Sequence, residues 1–258
     1  MQQQLFKIAS ALVLSLTLAS CGEEKQSLPP RGSTLKVLTA ADYPPFERYN
    51  KIKNKTPEMI GYDIDLVKRI GQYLSYEVEF IDYDFADVIP TLTQHKAHLA
   101  IAAINVTPGR QKQITFSKPY YNARNILLLP LGSPLIRDDD FTNLHIAVKR
   151  GSTQEQFAKV WKQKHKGIKL VSFQQDHDVV QAVISKGVDA AIVEETPGRA
   201  YIQTNVEALT YRLLEDDNTK FAIAFPKGSP LVSEFNKALE HLESIGEIDK
   251  LKQKWFVG

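Results

Sequence analysis

The chain has 258 residues, of which 43% are hydrophobic, and its Lys and Arg residues nearly balance its Asp and Glu residues, for a formal charge of +2. That balance excludes the basic surface of a nucleic-acid-binding protein and gives no sign of an acidic polymer as a partner. The length allows two lobes with separate hydrophobic cores.

The N-terminus has the pattern of an export signal. One basic residue, Lys7, precedes the apolar run 8–19, which is shorter than the roughly 20 residues that a membrane span needs. The only cysteine, Cys21, follows small residues, and this segment looks like the lipobox of a bacterial lipoprotein. We therefore expect a signal peptide over 1–20 and a lipid on Cys21, so that the protein is exported and membrane-anchored, facing the periplasm or the cell exterior. An ordinary secretory signal with an incidental free cysteine is the alternative.

Residues 22–33 are polar, contain two prolines and show no periodicity. That composition is typical of a tether, and we expect a lipid-anchored linker over 21–34.

Strands then alternate with helices along the chain. The first set has strands at 35–39, 77–81 and 99–104, and helices at 62–74, with Asp63 as its expected cap, and 87–95. The second set has strands at 145–148, 168–173 and 188–193, and helices at 152–163 and 179–185. Two further helices are expected within 231–256. The alternation predicts an α/β fold in which parallel sheets are covered by helices.

Two short segments that bracket the second set nearly repeat each other. They are PLGSPL at 130–135 and PKGSPL at 226–231, and each follows an apolar run. Simple turn chemistry can explain so short a repeat. Chance is the other explanation that the residues alone allow.

Arg110 comes directly after an apolar run that breaks into polar residues at Asn105 and Thr107. A cation in this place lies where open α/β sheets collect ligands, outside the carboxyl ends of the strands. The planar fork of arginine suits a carboxylate, which it holds with two parallel hydrogen bonds. An arginine that is simply solvated in a loop is the alternative.

The turn 107–110 and the run FSKPYY at 116–121 resemble the signature of bacterial extracellular solute-binding proteins for polar amino acids. These are substrate-binding proteins of ABC transporters with the type II periplasmic-binding fold, and the resemblance extends over about 35–256. It implies two lobes, each a mainly parallel sheet flanked by helices, joined by two hinge crossings. Lobe 1 would comprise 35–126 and 222–258, and lobe 2 would comprise 127–221. The partners implied are a small-molecule amino acid and a membrane ABC permease, and we expect a monomer.

The resemblance also implies a ligand site. Arg110 would hold the carboxylate of the ligand together with donors at Ser152 and Thr153, for which an ordinary helix cap is the alternative. Tyr43 and Phe85 would sandwich the side chain of the ligand.

On the second lobe, Glu194 stands where the family usually has an aspartate for the α-amino group, and Glu195 is the alternative. We also expect Asn105 to contribute to the site. Lys149 could face the side-chain end of the ligand, and a solvated lysine is the alternative.

Three departures from the family pattern concern the ligand. Ala40 replaces an acid that often contacts the distal end of the ligand, Ala102 and Ala103 replace serines, and His98 replaces an aspartate. The loss of the acid argues against lysine or arginine, and Lys149 would favour an acceptor. We therefore expect a polar ligand, amide or acidic rather than basic.

Catalytic and metal motifs are poorly supported. The sequence contains no HExxH, Walker A, G-x-S-x-G or G-x-G-x-x-G pattern, and we expect a binding protein with no cofactor, no metal and no enzyme activity. The alternative is a cyclohexadienyl (prephenate or arogenate) dehydratase on the same fold, for which Glu194 or Glu195 would serve as the general acid. A ligand-sensing module of a membrane receptor is less favoured, since the chain ends at Gly258 without a transmembrane helix.

Overall fold

A computed structural model describes residues 27–50, 56–137, 140–214 and 219–256. The expected signal peptide and Cys21 lie outside these residues. The strands, in chain order, are β1 (Thr34–Thr39), β2 (Asp42–Tyr43), β3 (Glu47–Asn50), β4 (Glu58–Ile60), β5 (Glu77–Asp82), β6 (Leu99–Ala100), β7 (Ile114–Ala123), β8 (Asn125–Pro130), β9 (His145–Lys149), β10 (Lys169–Phe173), β11 (Ala190–Glu194), β12 (Leu209–Leu213) and β13 (Thr219–Pro226). The helices are α1 (Tyr62–Leu74), α2 (Phe85–Thr93), α3 (Pro108–Gln111), α4 (Thr153–Lys164), α5 (Asp176–Ile184), α6 (Glu195–Thr204), α7 (Leu231–Ser244) and α8 (Glu247–Phe256).

Two five-stranded sheets of the same design organise the two lobes. The first has the order β5-β1-β6-β13-β7 and the second the order β10-β9-β11-β8-β12. In each sheet four strands run in one direction and one runs against them, β13 in the first sheet and β8 in the second. The prediction of an α/β fold with two mainly parallel sheets flanked by helices is confirmed.

The near repeat in the sequence forms the same turn after each antiparallel strand. The amide of Ser133 donates to the carbonyl of Pro130 at 3.1 Å, and the amide of Ser229 donates to the carbonyl of Pro226 at 3.2 Å. Because β8 and β13 hold the same position in their sheets, the two turns are equivalent. Turn chemistry therefore accounts for the repeat, and each turn comes one strand after the chain has passed from one sheet to the other.

The crossings lie between β7 and β8 and between β12 and β13. Asn125 and Ile126 already belong to the second sheet, and residues 219–221 already belong to the first. The lobe boundaries at 126/127 and 221/222 remain a prediction to within these few residues.

Helix α1 has the predicted bounds, but the prediction that Asp63 caps it is wrong. The capping position is Gly61, which makes no side-chain cap hydrogen bond. Asp63 is fully buried, and its Oδ2 accepts hydrogen bonds from the amide of Ala103 at 2.9 Å and from the hydroxyl of Tyr120 at 2.7 Å. The carboxyl group thus ties the helix to the segment that follows β6.

That segment is not the strand predicted over 99–104. Only Leu99 and Ala100 form β6, because Ala103 adopts a left-handed conformation with φ +46 and the chain leaves the sheet. Asn105 rejoins it through a single bridge to Phe221. The departure brings Asn105 to the cleft between the lobes.

Part of the expected linker is held against the first lobe. The hydroxyl of Tyr76 donates to the carbonyl of Pro29 at 2.9 Å, and the guanidinium of Arg31 donates to the carbonyl of Leu74 at 2.5 Å and to Glu234 at 2.7 Å. Among the described residues, no helix combines the length and the apolar composition that crossing a membrane requires.

Candidate functional site

The strand exits of the two sheets face each other across one pocket, whose empty volume, including the part open to solvent, is about 410 Å³. Residues from both lobes line it. The predicted site residues among them are Tyr43, Phe85, Asn105, Lys149, Ser152, Thr153 and Glu194. The remaining predicted residue, Arg110, lies beside the pocket and contacts two of its walls.

Arg110 lies on the short helix α3 and reaches across the cleft. Its Nη1 donates to the carbonyl of Asn105 at 2.9 Å in its own lobe, and its Nη2 donates to the carbonyl of Gly151 at 3.2 Å in the other. The guanidinium carbon lies 5.4 Å from the centre of the Phe85 ring. Burial lowers the pKa of Arg110 to about 10, so the group stays charged at neutral pH. Two of the five donor N–H groups serve these carbonyls, which leaves others for an anion.

Glu194 ends β11 and points into the pocket, where it is 3% exposed. Its Oε1 accepts a hydrogen bond from the side-chain amide of Asn105 at 2.7 Å, and its Oε2 accepts one from the hydroxyl of Tyr43. Both donors belong to the first lobe. Glu195 points outward instead and forms ion pairs with Arg124 and Arg199. The structure thus favours Glu194 over its neighbour as the inward carboxylate.

The N-terminus of α4 forms the second-lobe wall of the pocket. The amide and the hydroxyl of Ser152 both donate to the carbonyl of Lys149, at 3.3 and 2.7 Å, and its hydroxyl oxygen accepts from the amide of Glu155 at 3.0 Å. Ser152 is therefore a helix cap, and its role as a ligand donor remains a prediction. The hydroxyl of Thr153 accepts a hydrogen bond from Asn105 at 2.8 Å across the cleft.

Lys149 lies inside the pocket and is 7% exposed, so the solvated alternative does not apply. Its ammonium pairs with Oδ1 of Asp42 in the first lobe at 2.5 Å. It also lies 5.3 Å from the ring centre of Tyr43 and 5.5 Å from that of Phe85. The two predicted aromatic residues therefore flank one space, and a cation from the second lobe borders it.

Two buried acids of the pocket were missed by the sequence analysis. Glu47, at the start of β3, is 1% exposed, and its carboxyl group lies beside that of Asp63. Burial, together with the nearby Asp63, raises its pKa well above the ordinary range. Asp176, at the start of α5, is 2% exposed, and burial raises its pKa to about 7. The only signal for Glu47 was its place four residues after Tyr43, and Asp176 reads as an ordinary acid of a first helical turn.

The arrangement suits a small ligand with both charges. Arg110 offers N–H donors at one side of the pocket, and Glu194 offers a buried carboxylate that the first lobe already contacts. A buried charge is costly unless it has a partner of opposite charge. A zwitterionic ligand would supply a carboxylate for Arg110 and an ammonium group for Glu194. Among the described residues, no cluster of three His, Cys, Asp or Glu side chains is arranged to hold a metal ion.

Both the sequence and the structure are similar to those of known proteins. The bacterial extracellular solute-binding proteins, family 3, match residues 35–258. The arginine-binding extracellular protein ArtP of Bacillus subtilis (strain 168) is 32% identical over 250 residues, which cover 96% of this chain and 96% of the relative. A substrate binding protein of an amino acid ABC transporter is 31% identical, with a TM-score of 0.81, over 87% of this chain and 100% of the other. An ancestral arginine-binding protein bound to arginine is 33% identical, with a TM-score of 0.79, over 88% and 99%.

Proposed function

The chain belongs to the bacterial extracellular solute-binding proteins, family 3, and on this premise we propose that it captures an amino acid between two closing lobes and delivers it to an ABC transporter permease. The observation that carries the proposal is the Arg110 guanidinium, which extends from the first lobe to the Gly151 carbonyl of the second beside the pocket that Glu194 lines. In this scheme Arg110 and the N-terminus of α4 bind the ligand carboxylate, and Glu194 binds its ammonium group.

Lobe closure is the step that couples binding to transport. Residues of both lobes must meet for each ligand charge to be paired, so the ligand stabilises the closed arrangement by its differential affinity for it. Hydrogen bonds between Asn105 and both Thr153 and Glu194 already join the lobes across the pocket. The two lobes would have their boundaries near 126/127 and 221/222. In the closed arrangement they would together present the surface that the permease recognises.

The side-chain end of the pocket favours a polar ligand with an acceptor. Tyr43 and Phe85 would sandwich an apolar stem, and the ammonium of Lys149 lies within 5.5 Å of both ring centres. A second cation between the same rings would meet a like charge in a place of low dielectric, which is unfavourable. The relative from Bacillus subtilis is named as arginine-binding, so arginine is the competing candidate ligand, and this like-charge contact argues against it.

Membership of an extracellular family indicates export. We propose in addition that Cys21 carries the lipid anchor and that the protein acts as a monomer. The contacts of Pro29 and Arg31 with the first lobe place the end of the tether at or before Pro29. Mass spectrometry of the N-terminal peptide and membrane fractionation of a Cys21→Ser variant test the anchor, which predicts release of the variant from the membrane.

A thermal-shift screen of purified protein tests the function. The twenty amino acids are the candidate ligands, and a true ligand raises the melting temperature in proportion to saturation. Prephenate is added as a further arm, with an assay for phenylpyruvate, because the dehydratase alternative predicts turnover. The proposal expects a shift with at least one amino acid and no product from prephenate. A shift with none of them, or turnover of prephenate, would contradict it.

A further inference from the structure

The carboxyl group of Asp176 has no role in the proposed binding scheme. It lines the ligand pocket from the second lobe while only 2% exposed. Its Oδ2 is buried and has no hydrogen-bond partner among the described residues. A buried oxygen without a donor is costly, and such groups commonly have a function in binding.

The carboxylate of Asp42 bonds to both Asp176 and Lys149 and so brings these two residues together. One carboxylate oxygen of Asp42 accepts from the ammonium of Lys149 at 2.5 Å, and the other accepts from the backbone amide of Asp176 at 2.7 Å. The second lobe therefore presents two polar groups beside the rings of Tyr43 and Phe85. The ammonium of Lys149 is a donor, and the carboxyl group of Asp176 is an acceptor.

Burial keeps the carboxyl group of Asp176 partly protonated. Burial and the charge of Asp42 raise its pKa, the charge of Lys149 and the nearby hydroxyl of Tyr201 lower it, and the net pKa is about 7. The carboxyl group is thus partly protonated at neutral pH, and so the pocket end does not present the full negative charge that a cationic side chain would require.

From these observations we propose that Asp176 is a specificity-determining residue that, together with Lys149, recognises a side-chain carboxamide. The proposal rests on the proposed amino-acid-binding function. A primary amide has one acceptor oxygen for the Lys149 ammonium and N–H donors for Asp176. A carboxylate has acceptors only, a guanidinium has donors only, and a thioether offers neither in strength. The ligand class is therefore an amino acid with a neutral amide side chain.

Isothermal titration calorimetry of the full chain tests this with a matched set of ligands. L-glutamine and L-asparagine are compared with L-glutamate and L-aspartate, with L-methionine as an apolar ligand of similar length, and with L-arginine. The wild type should bind one of the amides at least about tenfold more tightly than its matching acid, methionine and arginine, the size expected for one buried hydrogen bond.

Two variants separate the roles. Asp176→Val removes the acceptor, and it should weaken amide binding about tenfold while the affinity for methionine changes less than about twofold. Asp176→Asn keeps the shape and an acceptor oxygen, and it should retain the amide preference within about threefold. Circular dichroism and the melting temperature show whether each variant is folded, and the wild-type ranking of ligands remains decisive if Asp176→Val is not.

The proposal is overturned if the wild type binds arginine or an acid more tightly than either amide. It is also overturned if Asp176→Val weakens the amide and methionine equally. A wild type that binds none of the amino acids would overturn the proposed function itself and this inference with it, so the two failures are distinguishable.

Discussion

Replacement of Gly151 by alanine tests whether the contact between the lobes determines ligand affinity. Gly151 has φ +75, and a Cβ added there would lie 3.0 Å from Cα and 3.1 Å from Cβ of Ala86, in the first lobe. Neither the backbone nor the short side chain of Ala86 can swing aside as a long flexible side chain could, so the two lobes must separate by a few tenths of an ångström. The closed arrangement should therefore be strained, and a small opening of the cleft would relieve the strain.

Gly228 provides a matched control. Its φ is +76, and an added Cβ would find no atom within 4 Å. Both alanine variants incur the left-handed backbone cost of about 1–2 kcal/mol. Only Gly151→Ala adds an overpacking cost, typically about 1–3 kcal/mol, and this corresponds to a loss of about 5- to 150-fold in ligand affinity.

The assay pairs calorimetric titration with urea unfolding. We expect the two variants to lose similar free energy of unfolding, because opening relieves the clash, and we expect only Gly151→Ala to bind ligand more weakly. Equal affinities in the two variants would refute the reasoning that closure at this contact limits binding.

Two further predictions concern buried charges. Burial raises the pKa of Asp63 from its usual 3.8 to about 6. The folded state therefore holds this proton more tightly than the unfolded chain, and the free energy of unfolding should fall by roughly 3 kcal/mol as pH rises through that range. Urea unfolding should show a flatter pH dependence for Asp63→Asn, and parallel curves would contradict this. Asp42→Asn leaves the buried Lys149 without its carboxylate and should weaken ligand binding about 100-fold. A double-mutant cycle with Lys149→Met, measured by calorimetry, should show coupling, and strict additivity would contradict the interlobe ion pair.

The parts of the fold that follow local rules could be predicted from the sequence. Alternating strands and helices, such as 77–81 and 62–74, carry their own periodicity, and the structure has them within a few residues. Strand β7 was missed because Pro119 breaks the pattern, and the pairing with β13 tolerates it through register shifts. Such tolerance depends on the neighbouring strand, which no local pattern reveals.

The residues of the candidate site likewise include some that local sequence patterns could place and some that they could not. Glu194 is the last residue of β11, so its place could be predicted from where that strand ends, whereas Arg110 lies on α3, well after the end of β6, and its place was implied by the family resemblance. Asp63 was misread as a cap, since an acid in a first helical turn looks the same whether it faces solvent or the interior. Asp176 escaped notice for the same reason, because its burial depends on Asp42 from the other lobe.

Calorimetric titration of Arg110→Ala with the amino acid that gives the largest thermal shift tests the central claim most directly. The account predicts that binding is lost while the variant keeps its fold, because a charge-assisted pair to the ligand carboxylate is removed from a closed cleft. Unchanged affinity in a folded Arg110→Ala variant would contradict the assignment of this pocket as an amino-acid site.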